Sequence, residues 1–346
     1  MVNFINQNVM KTWEIQGFGL HNLKRSDREI PRPGKGQILV KVAAASLNFR
    51  DKAIIAEMYL PHLMKMPIIP LSDIAGTVVE LGDGVTKYNV GDRVMSHLFP
   101  TWKSGVRHPT DVSENALGGP VDGGLAEYIV LDENAAVRSP DSLTDIEAST
   151  LPIAALTAWT ALFAHSPLRS GQTVVTLGTG GVALFAVQFA KAIGAKVIAL
   201  SGSDDKLELL RKLGADEVIN YNLNPEWQNK ILELTDGIGA DNVIDIVGGE
   251  SISRSVQAVA NGGQVSIIGF LGGTTASIDL LPVIFKAVQI RGILVGGLDA
   301  FEKMVDFIET HNIKPIIEKV YPFDETLEAF AHVDRGPVGK LVIEIN

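Results

Sequence analysis

The segment Val174-Val175-Thr176-Leu177-Gly178-Thr179-Gly180-Gly181-Val182-Ala183 constrains this chain more than any other. A β-branched run ends in closely spaced glycines, and an apolar helix-forming run follows. Gly178, Gly180 and Ala183 meet the G-x-G-x-x-G/A spacing. Gly178 permits a tight turn, Gly180 lets a pyrophosphate approach the backbone, and Ala183 lets the helix pack closely on its sheet. The helix N-terminus then offers N–H groups and the positive end of its dipole to phosphates. Gly178, Thr179, Gly180, Gly181 and Val182 are therefore candidate cofactor contacts. A bare βα turn without a ligand would share the pattern, so its surroundings decide.

Those surroundings are a regular alternation. Strands are expected at Thr173–Leu177, Lys196–Leu200, Asp216–Ile219, Asn242–Ile246 and Gln264–Gly269. Helices are expected between them at Val182–Ile193, Asp204–Leu213, Pro225–Thr235 and Ser251–Ala260. This grammar predicts a doubly wound parallel sheet covered on both faces, a Rossmann α/β domain. Asp145–Ala164 reads as a helix leading into it. Residues from about 12 to 140 read differently. Short strands at Gln37–Ala45, Ile74–Leu81 and Asp92–Met95 are punctuated by glycine and proline, which predicts a β-barrel-like domain. The expected division is 1–149, 150–289 and 290–346, the last segment returning to the first domain with a strand, a helix at Phe301–His311 and a final strand at Lys340–Ile345.

An acidic residue at the end of the second strand would grip a ribose 2′-hydroxyl and select NAD. That position holds Ser201. Ser201-Gly202-Ser203, with Lys206 one turn on, presents hydroxyls and an ammonium suited to a 2′-phosphate, so NADP(H) is favoured over NAD(H). Ser203 also suits a helix N-cap, and Asp204 is an acid within reach of a ribose.

Composition removes other classes. The 346 residues carry a net charge of −10, which disfavours nucleic-acid or anionic-membrane partners. With 46% hydrophobic and 20% charged residues the chain is globular. It has no cysteine, so disulfides, thiolate metal sites and cysteine nucleophiles are excluded, and a cytoplasmic location is expected. Val174 to Ala190, the longest apolar run, contains three glycines, two threonines and a glutamine, unlike a membrane span.

The chain also resembles the medium-chain dehydrogenase/reductases, in particular their zinc-free, quinone-oxidoreductase-like branch. The likeness is carried by Ala45-Ser46-Leu47-Asn48-Phe49-Arg50-Asp51, Gly76-Thr77-Val78-Val79-Glu80-Leu81-Gly82, Val90-Gly91-Asp92-Arg93-Val94, Gly123-Gly124-Leu125-Ala126-Glu127-Tyr128, Leu156-Thr157-Ala158-Trp159 and the glycine turn. The resemblance implies a GroES-like domain, a Rossmann domain, substrate binding between them and a homodimer joined near residues 285–297. It places further cofactor contacts at Thr157, Tyr221, Val247-Gly248, Gly269-Phe270-Leu271, Gly296 and Lys340. Where the zinc branch carries cysteine, histidine–glutamate and a third ligand, this chain has Asn48, Ser72-Asp73 and Ile153. That set does not build a catalytic zinc site. His97 and His108 are the only candidate ligands in the stretch that replaces the structural zinc lobe. No metal is expected.

Without a metal, hydrogen-bond donors must stabilise developing negative charge on the substrate. Hydride transfer to the C=C of an enone or enal, or to a quinone, is the expected reaction, because a simple ketone would yield a much more basic alkoxide. Asn48 stands where a metal ligand would be and can donate from its amide. Arg50 is expected to steady a carbonyl oxygen or a phosphate, oriented by Asp51, and Tyr59 and Ser72 are possible proton sources. A zinc-free alcohol dehydrogenase or ketone reductase, and a non-catalytic NADPH-binding protein, are the competing readings.

Overall fold

The computed structural model describes residues 8–345. Strands run in order β1 (Val9–Ile15), β2 (Leu23–Glu29), β3 (Gln37–Ser46), β4 (Asp73–Leu81), β5 (Arg93–Ser96), β6 (Tyr128–Asp132) and β7 (Ala136–Arg138). Then follow β8 (Thr173–Leu177), β9 (Lys196–Ser201), β10 (Glu217–Asn220), β11 (Ala240–Asp245), β12 (Val259–Ile267) and β13 (Gln289–Gly292). The last two are β14 (Ile317–Pro322) and β15 (Lys340–Glu344). The chain forms two compact units, one reaching Ile153 and resuming at Gly297, the other spanning Ala154–Gly296.

In the first unit the main sheet has the order β14-β15-β3-β4-β5-β7, with β6 also paired to β3, and β1-β2 form a separate antiparallel ribbon. Ile38, Val40, Val42, Ile74, Val78, Leu125, Leu341 and Ile343 lie in its core. β3 is its centre: three partners, β4, β6 and β15, hydrogen-bond to it. Residues at its C-terminal end are thereby held from both sides, and the next residues are Leu47 and Asn48.

The second unit is the doubly wound sheet. Its order is β10-β9-β8-β11-β12-β13 and every pairing is parallel. The strands are buried on both faces, which is why they read as continuous apolar runs. Strand order reverses between β8 and β11, the switch point at which such sheets bind ligands. The strand expected near 290 as part of the return belongs here instead: β13 pairs with β12 and forms the edge of the parallel sheet. At the other border, the Ile153 N–H donates to Asp73 Oδ2 and binds residues up to 153 into the first unit.

The helix expected over Asp145–Ala164 is interrupted. α-Helical Asp145–Ala148 and Leu156–Trp159 alternate with π-helical Leu151–Ala155 and Thr160–Ala164. Pro152, without an N–H, lies in the first π segment. In the second, the Ala161 carbonyl accepts from Asn242 Nδ2 (2.8 Å) and Gln264 Nε2 (3.2 Å), buried amides that a helix-only reading cannot foresee. Among the described residues no helix is long and apolar enough to cross a membrane.

Candidate active site

In the second unit the glycine turn is built as its sequence requires. Gly178 ends β8 at φ 85°, a left-handed conformation that a side chain would strain. Thr179 is buried, Gly180 is the N-cap, and Gly181 and Val182 open the helix Gly181–Ala192. No side chain caps that helix, and a Cβ on Gly180 would meet nothing within 4 Å. Open space therefore faces uncapped helical amides, a fit for the pyrophosphate of a dinucleotide. A cleft of about 410 Å³ lies at the strand ends, lined by Leu177, Tyr221, Trp227, Val247, Gly248 and Arg254 among others. Trp227 and Arg254 were not legible as part of it, because each sits on a helix and neither belongs to the glycine turn or to a strand end.

Beyond β9 the structure gathers four of the expected contacts. Ser201 ends the strand, Ser203 is the N-cap of Asp204–Lys212 with its hydroxyl uncommitted to capping, and Lys206 follows in the first turns. The Tyr221 hydroxyl packs on Gly202, where a Cβ would lie 2.7 Å from it. Asp204 accepts from Asn220 Nδ2 through Oδ1 at 2.8 Å, which ties it to the end of β10. Past β12, Gly269 packs against Ile246, with space for no side chain (a Cβ would lie 1.8 Å from its carbonyl oxygen). Phe270 follows it half-buried, and Leu271 is exposed. Thr157 is buried and its Oγ1 has no hydrogen-bond partner. Gly296 packs against Thr160 and Leu156, so it serves the neighbouring helix rather than open space.

The first unit holds a buried polar cluster at the end of β3. Asn48 is the N-cap of the helix Phe49–Ile55. Its backbone N–H donates to Asp51 Oδ2 at 2.8 Å. Lys340, at the start of β15, donates from Nζ to the Leu47 carbonyl (2.6 Å) and to Asn48 Oδ1 (2.7 Å), and stands 4.0 Å from Asp73 Oδ2. Asp73 also accepts from the Ser72 hydroxyl (2.8 Å) and the Ile153 N–H. Asn48 Nδ2 is buried, and the Asn48 amide interacts with the Asp73 carboxyl, which it helps to hold down.

Burial governs the charges here. It pushes the Asp51 carboxyl up to about 6 against the opposing effect of Arg50, and raises Asp73 against that of Lys340. Burial likewise lowers the Lys340 ammonium, while Asp73 and Asp51 hold it up. Each carboxylate needs the lysine and the lysine needs them.

Two expectations require correction. Lys340, expected at the cofactor, has its ammonium engaged inside the first unit. Arg50, expected to meet a carbonyl or phosphate, donates to the carbonyls of Leu117 and Gly119 and stacks 5.4 Å from the Tyr59 ring centroid. Asp51 pairs with Arg50 through Oδ1 at 3.9 Å and accepts from the Asn48 N–H at Oδ2, so it faces the guanidinium and the start of the helix together. The reason is common to Lys340 and Arg50: buried donors must be satisfied nearby, and backbone carbonyls are close acceptors for both. Arg50 thereby clamps the segment that packs on Leu71, a buried residue at φ 67° directly before Ser72. Tyr59 is covered by Arg50, and Ser72 is 1% exposed and spends its proton on Asp73.

A zinc ion does not suit these residues. Ile153 has no donor side chain, the Asn48 oxygen already takes an ammonium, and a second cation beside Lys340 would be repelled. His97 Nδ1 meets the Phe99 carbonyl and His108 Nδ1 meets Thr110. Among the described residues no three His, Cys, Asp or Glu side chains converge.

Comparison with known proteins places this geometry. Residues 34–141 match the alcohol dehydrogenase GroES-like domain and residues 181–310 the zinc-binding dehydrogenase family. A zinc-type alcohol dehydrogenase-like protein of Schizosaccharomyces pombe is 40% identical over 96% of this chain and 97% of its own. A chloroplast envelope quinone oxidoreductase homolog of Arabidopsis thaliana is 31% identical, covering 95% of each chain. The crystal structure of a putative alcohol dehydrogenase from Sinorhizobium meliloti 1021 is similar with a TM-score of 0.92 and 42% identity, covering 98% of this chain and 99% of that one. The chain belongs to the medium-chain dehydrogenase/reductase superfamily, and it is an oxidoreductase.

Proposed function

We propose that this oxidoreductase uses NADPH, without zinc, to reduce the C=C of an enone or enal, or a quinone. The observation that carries the reading is the Asn48 amide: a buried donor set between Lys340 and Asp73, standing where the zinc branch has a metal ligand. Reduced nicotinamide, when bound, supplies the hydride. The substrate receives it at the β-carbon, the C=C electrons move to the carbonyl, and negative charge collects on oxygen. Asn48 Nδ2–H donates to that oxygen, and a solvent proton at the α-carbon completes the saturated carbonyl. A quinone takes hydride and proton likewise and becomes an aromatic hydroquinone. A donor kept from water is worth far more to developing charge than an exposed one.

The preference for NADPH is supported by the loop after β9. No acid ends that strand, and Ser201, Ser203, Lys206 and Tyr221 follow it around the start of the next helix. Absence of a metal is supported by the donor chemistry around Asn48 and Lys340. A homodimer is supported by the exposed apolar residues Leu280, Leu281, Ile284 and Phe285 beside edge strand β13. The lack of cysteine fits a cytoplasmic setting.

The test is NADPH consumption with enals, enones, quinones and simple ketones, with products identified. Saturated carbonyls or hydroquinones are expected. Alcohols with the C=C intact would overturn the reading in favour of carbonyl reduction, and NADPH binding without any turnover would overturn it in favour of a binding protein.

A further inference from the structure

The cleft at the strand ends of the second unit carries two charges that the fold does not use. Glu250 and Arg254 both line it, one turn apart at the start of the helix Ser251–Ala258. An acid four residues ahead of an arginine is the favourable order for an ion pair along a helix. Yet among the described residues neither side chain has a hydrogen-bond or ion-pair partner, and the two do not pair with each other. The wall that holds them is firmly built. Gly248 and Gly249 turn the chain out of β11 in left-handed conformations, at φ 73° and 54°. A Cβ on Gly249 would lie 2.3 Å from the Gly272 carbonyl oxygen, so only glycine lets the turn close. Buried Asp245 accepts from the Val247 and Gly248 N–H groups, each at 2.9 Å, and from the Ser255 hydroxyl at 2.7 Å. It locks the turn to the residue beside Arg254. The other walls indicate what lies there. Leu177 adjoins the glycine turn that suits a pyrophosphate, Tyr221 packs on Gly202 in the loop that suits a 2′-phosphate, and both line the cleft. The adenosine that joins those two groups therefore meets the cleft. Leu177, Trp227 and Val247 give it apolar sides suited to a flat base, and the Glu250 carboxylate would repel a phosphate.

We propose that Glu250 and Arg254 read the edge of the cofactor's adenine: the carboxylate accepts from the exocyclic amino group, and the guanidinium donates to an adjacent ring nitrogen. The proposal rests on the reading of this unit as a dinucleotide site. Adenine offers a donor beside an acceptor, and an acid beside an arginine is the matching pair. Hypoxanthine has an oxygen in place of the amino group and would present an acceptor to the carboxylate. The pair thus makes the site selective for the base as well as for the phosphates, which the glycine turn alone does not do.

Dissociation constants test this, measured by titration calorimetry for NADPH, NADH and the hypoxanthine counterpart of each. The proteins are wild type, Glu250→Ala and Arg254→Met. Glu250 is exposed and Arg254 half-buried, so both variants should fold. Wild type is expected to bind the adenine cofactor about tenfold more tightly than the hypoxanthine one, the lower part of the range for a matched pair of hydrogen bonds, because the cleft is open to solvent. Glu250→Ala should bring that ratio within about twofold, since the carboxylate is what rejects the oxygen. Arg254→Met should weaken NADPH and NADH alike, about fivefold, because the base is common to both. Equal wild-type affinity for the two bases overturns the proposal, as does a base preference that Glu250→Ala leaves unchanged. A loss in Arg254→Met confined to NADPH would make Arg254 a 2′-phosphate cation and likewise overturn it. Binding of neither NADPH nor NADH by wild type overturns the dinucleotide reading and the proposal with it. These measurements need no turnover, so failure of the base reading is distinct from failure of the reductase reading, which the substrate panel decides.

Discussion

Asp51→Asn should make the protein's stability less dependent on pH, and the size of the effect follows from the buried cluster. The Asp51 side chain is fully buried, one oxygen accepts from Asn48 N–H, and the other has no hydrogen-bond partner. Burial raises its carboxyl from 3.8 to about 6. Between those values the folded state holds a proton that the unfolded state has released, so stability falls as pH rises through the window. Above it the full penalty stands, about 3 kcal/mol at 1.36 kcal/mol per pH unit of displacement. Asparagine preserves the acceptor for Asn48 and cannot titrate. Its new amide group adds a cost that is the same at every pH and cancels in the comparison. Urea unfolding at pH 5 and pH 8, followed by tryptophan fluorescence, should show wild type losing about 1–2 kcal/mol more than D51N over that interval, since part of the penalty is already present at pH 5. Parallel pH dependences, within about 0.5 kcal/mol, would refute the claim that Asp51 is buried with its charge incompletely compensated.

Three further outcomes are expected. Lys206→Ala should weaken NADPH binding about tenfold or more while leaving NADH within about twofold, as titration calorimetry would measure, because only NADPH carries the 2′-phosphate; equal losses would remove Lys206 from that site. Dialysis against a strong chelator should leave activity unchanged, and elemental analysis of the active protein should find far less than one zinc per chain; activity lost on chelation and restored by zinc would refute the metal-free mechanism. Ile284→Glu with Phe285→Glu should convert a dimer to a monomer by light scattering, since both side chains are well exposed beside β13; an unchanged mass would move the interface elsewhere.

The parallel-sheet unit was legible because its signals are local. Strands buried on both faces are written as uninterrupted runs such as Thr173–Leu177 and Lys196–Ser201, and the turn between β8 and its helix needs glycine at Gly178 whatever surrounds it. Elements whose partners lie far along the chain were less so. The β1–β2 ribbon is rich in charge, with Lys11 pairing Asp27 across it, and lacks the apolar alternation that marks a half-buried strand. Asp145–Ala164 has helical periodicity throughout, yet Asn242 and Gln264 draw the Ala161 carbonyl away from a regular helix. β13 reads equally well as part of either unit until its partner β12 is known.

The same division holds at the site. Sequence alone determined the class of fold, the dinucleotide turn and the residue types available where a metal would otherwise sit, because backbone conformation and donor chemistry are properties of short segments. Tertiary structure alone decided how those residues are used. Arg50 looked like a cation for a ligand until Leu117 and Gly119 were seen to take its protons. Lys340 looked like a cofactor contact until β15 was found beside β3, 292 positions from Asn48 along the chain. A buried charge is assigned its role by whichever opposite charge or acceptor the fold brings within about 4 Å, and no local pattern carries that distance.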